Sequence, residues 1–194
     1  MAGCHAWPFH RAHSPGETVT ATLILGGARS GKSRLAESLA FGEKHYVATA
    51  QAFDDEMKDR IAKHQVQRGD GWLTHEEQFE LPRALAEIDQ AGRFILLDCL
   101  TLWLSNLILA DRDWQGPTAA LCGVLQRMAA DVVVVSNEVG LSIVPDNKLG
   151  RQFRDAQGIV NQRVAVVADN VVFVAAGLPL VLKGKLPSPP THPA

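Results

Sequence analysis

The chain has 194 residues and a formal net charge of −2, enough for one α/β domain with a sizeable core and without the basic surface that announces nucleic acid. Its three cysteines, Cys4, Cys99 and Cys122, are odd in number and lack C-x-x-C spacing, which argues against a disulfide frame or zinc site and for reduced thiols in the cytoplasm. The longest apolar stretch, Phe94 to Ala110, is interrupted by Asp98 and Asn106 and falls short of the about 20 clean residues of a membrane span.

Residues 1–20 contain Pro8, Pro15 and Gly16 and read as a disordered extension. His5, His10 and His13 offer metal binding as the alternative. No continuous apolar core marks a secretory signal, and the lack of acids before Glu17 keeps a transit-peptide reading open. From residue 21 to 184 the pattern alternates strand and helix, which predicts a single α/β domain with a mainly parallel sheet covered by helices on both faces. Strands are expected at 22–25, 45–49, 94–98, 132–136 and 171–175, with 72–76 as a shorter edge strand. Helices are expected at 32–41, 54–67, 82–90, 100–110, 118–129 and 148–168. In the last, Leu149, Phe153, Ala156, Val160, Val164 and Val167 recur at three- and four-residue steps, so one face is core. Residues 185–194, rich in proline, read as a disordered tail.

The run Gly26-Gly27-Ala28-Arg29-Ser30-Gly31-Lys32-Ser33 spells G-x-x-x-x-G-K-[ST]. It follows an apolar run and precedes a helical one, the strand–loop–helix context of a phosphate-binding loop. Glycines let backbone N–H groups turn inward around a polyphosphate, and the next helix points its positive end at the same place. Lys32 would reach the terminal phosphates and Ser33 would ligate Mg²⁺. The bland alternative is a glycine-rich turn before an unrelated helix. Arg29 either touches phosphate or points to solvent.

Ligands of such sheets bind beyond the carboxyl ends of the strands, where Thr49, Asp98 and Asn137 should emerge. Asp98 either holds Mg²⁺, directly or through water, or caps the next helix. Asn137 and Glu138 either contact substrate or start a turn. Asp54, Asp55 and Glu56 suit the start of a helix, on which Met57, Ile61 and His64 share a face and Arg60 neighbours His64. On spacing alone, His64 reads as a partly buried structural histidine rather than a nucleophile.

The ordered set of motifs resembles one family. It comprises the run 26–33, Tyr46-Val47-Ala48-Thr49-Ala50-Gln51, the acid cluster leading through Arg60-Ile61 to His64, and Trp72-Leu73-Thr74 with Glu76. Leu97-Asp98-Cys99-Leu100-Thr101, Asn106-Leu107, Ser136-Asn137-Glu138-Val139-Gly140 and the block from Ile143 to Gln162 complete it. This is similar to the bifunctional adenosylcobinamide kinase / adenosylcobinamide-phosphate guanylyltransferase family, from Ala21 to about Lys183. The resemblance implies a RecA-like P-loop NTPase fold, ATP or GTP as phosphoryl donor to adenosylcobinamide, and a second reaction in which GTP guanylylates His64. Adenosylcobinamide phosphate then takes the GMP to give adenosylcobinamide-GDP in cobalamin biosynthesis. It further implies Lys32 as a catalytic residue beside His64, and Mg²⁺ held by Ser33 and Asp98. Nucleotide contacts would come from Gly26, Gly27, Ala28, Arg29, Ser30, Gly31, Lys32, Ser33, Ala48, Thr49, Ala50, Gln65, Val66, Gln67, Arg68, Glu76 and Asp98. The assembly it implies is a homotrimer. Two features depart from the family pattern: the stretch from Ala110 to Ala130 is short, with Trp114-Gln115-Gly116-Pro117 read as a compact turn, and the segment before Ala21 has no counterpart. The rival readings are a simple P-loop kinase with a structural His64 and a nucleotide-binding module without turnover.

Overall fold

The computed structural model describes residues 20–50 and 70–186. The helix expected at 54–67, with His64 and residues Gln65, Val66, Gln67 and Arg68, lies outside the described residues, as do 1–19 and 187–194.

Strand β1 (Ala21–Gly26) leads through a loop into helix α1 (Lys32–Ser38) and then β2 (Glu43–Ala48). After the undescribed segment come β3 (Trp72–Glu76), α2 (Leu81–Ile88), β4 (Arg93–Asp98), α3 (Leu100–Leu109) and α4 (Gln115–Leu125). The chain ends in β5 (Asp131–Asn137), α5 (Lys148–Val167), β6 (Asn170–Ala175) and β7 (Leu178–Lys183). One seven-stranded sheet runs in the order β3-β2-β4-β5-β1-β6-β7. The pairs among β1 to β6 are parallel, and only β7 is antiparallel, to β6.

The sheet is buried on both faces, which is why its inner strands are continuously apolar rather than alternating. In β5, the four valines Val132 to Val135 divide between two cores. Val132 and Val134 join the layer of Leu81, Leu85, Trp103, Leu107, Leu121 and Val160. Val133 and Val135 join a smaller one with Ala36, Leu39, Tyr46 and Phe94. Helices α2 to α5 therefore cover one face, and α1 packs on the other.

Within the described residues the expected elements are found, with the edge assignment of 72–76 intact and most other strands longer at their ends. Helix α1 stops at Ser38 rather than at residue 41. There the Leu39 and Ala40 amides bond to carbonyls three residues back, and Gly42 at φ +58° turns the chain into β2. Residues 114–117 are not a separate turn: Gln115 to Pro117 form the first turn of α4. Asp113 accepts from the amides of Gln115 and Gly116 there, and proline in a first turn surrenders an amide that has no intrahelical partner anyway. Strand β7 has no counterpart in the sequence reading. All six of its residues are exposed, and Pro179 sits inside its apolar run, which argues against a strand except at a sheet edge. In α5, Leu149 is exposed while Gln157 and Asn161 are buried beside Ala156, Val160 and Val164.

Candidate functional site

The carboxyl ends of β1, β2, β3 and β4 carry the site. Gly26 closes β1, and a Cβ there would sit 2.6 Å from both Ser30 Oγ and Val174 O, so the close approach of loop to strand requires glycine. Gly31 takes φ +98° and Arg29 takes φ +55°, left-handed conformations that reverse the chain around the loop. Ala28 and Arg29 are exposed, Gly27 and Ser30 half-buried. Lys32 is buried, and its ammonium donates to Gly27 O at 3.0 Å, so the lysine lies back along its own loop. Ser33 follows it, half-buried, in the first turn of α1.

The register places Ala48 opposite Glu76 on one side and Asp98 on the other. Glu76, Ala48 and Asp98 thus form one row across three strands, with the carboxylate positions about 10 Å apart at two strand spacings. Alternation along the strands puts this row on the face that carries Tyr46 and α1. The Tyr46 hydroxyl donates to Asp98 Oδ2 at 3.0 Å and fixes the carboxylate. Asp98 does not cap α3: the N-cap position is Cys99, with no side-chain cap bond. Strand β5 intervenes between β1 and β4, with Asn137 opposite Gly26 and Val135 opposite Asp98, so the loop and Asp98 face each other across one strand.

Thr49 follows β2 and is tied into the fold. It is fully buried, its hydroxyl donates to Cys99 O at 2.8 Å, and the same oxygen accepts from Cys99 N at 2.9 Å. Its carbonyl accepts from Asn106 Nδ2 at 2.8 Å. The side chain is committed to the fold and ties the end of β2 to the β4–α3 junction, while half-buried Ala48 and Ala50 flank it. Burial, and then the negative charge of Asp98, push the Cys99 thiol up to about 12, which makes it inert. Lys32 is close enough to oppose that shift. Glu76 is exposed and free to face a ligand.

The tip of β5 is held from behind by a buried polar set. Ser136 Oγ donates to Asn161 Oδ1 at 2.7 Å, Gln157 Nε2 donates to both, and Asn161 Nδ2 donates to Asn137 O at 3.1 Å. Asn137 N donates to Thr101 Oγ1. Glu138 accepts from Gly140 N, so its carboxylate closes a turn. The sequence reading missed Tyr46 as a partner of Asp98 and Thr49, Thr101 and Asn106 as ties. Asn106 had a signal: a lone amide inside an apolar helix must find buried partners.

Among the described residues no group of three or more His, Cys, Asp or Glu is placed to hold a metal. The Ser33 hydroxyl and Asp98 carboxylate still suit Mg²⁺, which takes one or two protein oxygens and completes its shell with water and phosphate.

A family model described as cobinamide kinase / cobinamide phosphate guanyltransferase matches residues 22–182. The chain belongs to this family. It is 47% identical over 168 residues to the bifunctional adenosylcobalamin biosynthesis protein CobP of Pseudomonas aeruginosa, covering 84% of this chain and 97% of that one. It is 39% identical over 178 residues to the bifunctional adenosylcobalamin biosynthesis protein CobU of Salmonella typhimurium, covering 83% and 98%. The solved PH0250 protein of Pyrococcus horikoshii OT3 superposes with a TM-score of 0.50 at 9% identity, covering 87% and 88%; that likeness concerns the fold alone. The phosphate loop, the sheet order and the family together make this a P-loop NTPase fold.

Proposed function

We propose that this chain phosphorylates adenosylcobinamide with ATP or GTP and then transfers GMP from GTP to the product, giving adenosylcobinamide-GDP. The observation that carries the reading is the row Glu76–Ala48–Asp98 facing a lysine-bearing phosphate loop, in a chain matched by the family from 22 to 182. Lys32 would leave Gly27 O for the nucleotide's terminal phosphates, so that its charge is used where negative charge develops. Backbone amides of residues 26–33 would cradle the rest, with Ala48 and Ala50 beside the nucleotide and Glu76 toward its base or ribose. Ser33 and Asp98 would hold Mg²⁺, with Tyr46 orienting the carboxylate. Bound there, Mg²⁺ would neutralise charge on the phosphates.

The route of the second reaction rests on the resemblance. A neutral His64 nitrogen would attack the α-phosphorus of GTP, forming an N–P bond as pyrophosphate leaves. A phosphate oxygen of adenosylcobinamide phosphate would then attack the same phosphorus, releasing His64. Gln65, Val66, Gln67 and Arg68 stand on the same footing as GTP contacts. The catalytic domain is proposed to run from 21 to 184, in a cytoplasmic homotrimer. The exposed Leu178, Leu180 and Leu182 of β7, with Leu141 and Ile143 before α5, supply apolar surface for subunit contact.

GTP labelled at the α-phosphate tests the assignment. Acid-labile, alkali-stable label on the protein, absent from His64→Ala, is the expected result. Absence of label under conditions where nucleotide binds sinks the histidine route. Loss of cobinamide phosphorylation in Lys32→Ala, with retained activity in wild type, excludes a binding module. Light scattering reads the oligomer.

A further inference from the structure

The hairpin formed by β6 and β7 does something that its exposure does not explain. Ala175 pairs with Leu178, so the connection is the two-residue turn Ala176-Gly177, with φ +51° and +78°. Positive φ at both positions is the turn type whose twist matches a hairpin. The turn lands on the phosphate loop. Gly177 N donates to Ser30 O at 2.8 Å. A Cβ on Gly31 would come within 3.2 Å of Gly177 Cα, and a Cβ on Gly177 would lie 3.5 Å from the Arg34 guanidinium. The other end of β7 is also fixed. Lys183 Nζ donates to the carbonyls of Ala165, Val166 and Ala168 at the end of α5, and Lys185 N donates to Asn170 Oδ1.

A trans peptide carries its C=O and N–H on opposite sides. With the Ser30 carbonyl held outward by Gly177, the Gly31 N–H of the same peptide is aimed the other way. Among the described residues no acceptor takes up that N–H. We propose that the β6–β7 turn is a positioning element of the nucleotide site: the Gly177 amide holds the Ser30–Gly31 peptide so that the Gly31 N–H faces the triphosphate. Gly177 touches no reacting atom and acts only through the loop. The inference rests on the reading that residues 26–33 bind a nucleoside triphosphate.

The test uses the full chain and a fluorescent GTP analogue, with Kd, KM and kcat measured on four proteins. Gly177→Val places a β-branched residue at φ +78° and distorts the turn. It is expected to raise the Kd for the analogue and the nucleotide KM about tenfold, with kcat kept within about threefold, because the loop is misaligned rather than lost. Gly177→Asn keeps the amide and tolerates the left-handed region, and is expected within twofold of wild type. Val181→Thr perturbs exposed β7 away from the turn and is also expected within twofold. A merely structural role would lower kcat through the folded fraction and leave KM unchanged. Circular dichroism checks folding; if Gly177→Val does not fold, Gly177→Ala replaces it and is expected to raise Kd at least threefold. Wild-type Kd and KM in the folded Gly177 variant, or an equal rise in Val181→Thr, overturns the inference. Failure of wild type to bind the analogue overturns the nucleotide reading as well.

Discussion

Replacing Thr49 by valine keeps the volume and removes one hydroxyl, and the structure sets what that costs. The hydroxyl is fully buried, donates to Cys99 O and accepts from Cys99 N. The Cys99 carbonyl keeps a partner, because Trp103 N also reaches it at 3.2 Å. The Cys99 N–H keeps none among the described residues. An orphaned buried donor costs about 1–3 kcal/mol, and the second lost bond adds about 0.5–1.5 kcal/mol. The sum, about 1.5–4.5 kcal/mol, is a large share of the roughly 5–15 kcal/mol that holds a typical domain folded. For a domain of this size it lowers Tm by roughly 3–18 °C. Guanidinium denaturation and thermal melts of wild type, Thr49→Val and Thr49→Ser measure it. Serine keeps the hydroxyl and loses one methyl, so it should cost only about 1 kcal/mol. A valine variant within 0.5 kcal/mol of wild type, or a serine variant as damaged as valine, refutes the account of Thr49 as a hydrogen-bonded tie.

Stability should also depend on His75. Its ring shares a 2.9 Å hydrogen bond with His45, whose other nitrogen meets Glu43, and burial, then the charges of His45 and Arg93, lower its pKa from 6.5. The unfolded chain therefore binds that proton more tightly, so the contribution is complete above about pH 6.5 and is lost as pH falls below it; denaturation at pH 7, 6 and 5 should show a decline that shrinks in His75→Gln. Cys99 should resist iodoacetamide at pH 8 in the folded protein and react only after denaturation, as read by peptide mass spectrometry, because its thiol is pushed up to about 12. Lys183→Met uncaps three carbonyls at the end of α5 and should cost about 1–2 kcal/mol in denaturant unfolding, with nucleotide Kd as the companion measurement.

The parts of this fold that were legible in the sequence are those whose signal is local. Gly26 to Ser33 announce themselves by spacing, and β5 by four consecutive valines flanked by polar ends. The edge position of Trp72–Glu76 follows from its mixed character. What escaped depends on partners distant in the chain. Thr49 looks like a site residue at a strand tip, and only the proximity of Cys99, 50 residues on, turns its hydroxyl inward. Gln157 and Asn161 look polar on a helical wheel and are core because Ser136 lies opposite. Strand β7 was invisible because it is a strand by pairing with β6, not by burial. The assignment of His64 never lay in spacing; it came from the ordered set of motifs around it.

The pairing of β1 also governs when this site comes into being. The strand that carries the phosphate loop is synthesised well before its two neighbours, β5 and β6, which lie more than a hundred residues downstream. As the polypeptide emerges from the ribosome, residues 21–33 have no sheet to join until Asp131 to Ala175 have followed. Non-local pairings of this kind slow folding, and they make the shape of the phosphate loop depend on β5 and β6 having formed. A nascent or truncated product could carry every residue of the G-x-x-x-x-G-K-S run and still lack the scaffold that shapes it. Pairing of β1 with β5 and β6 would then act as a checkpoint before any triphosphate is bound.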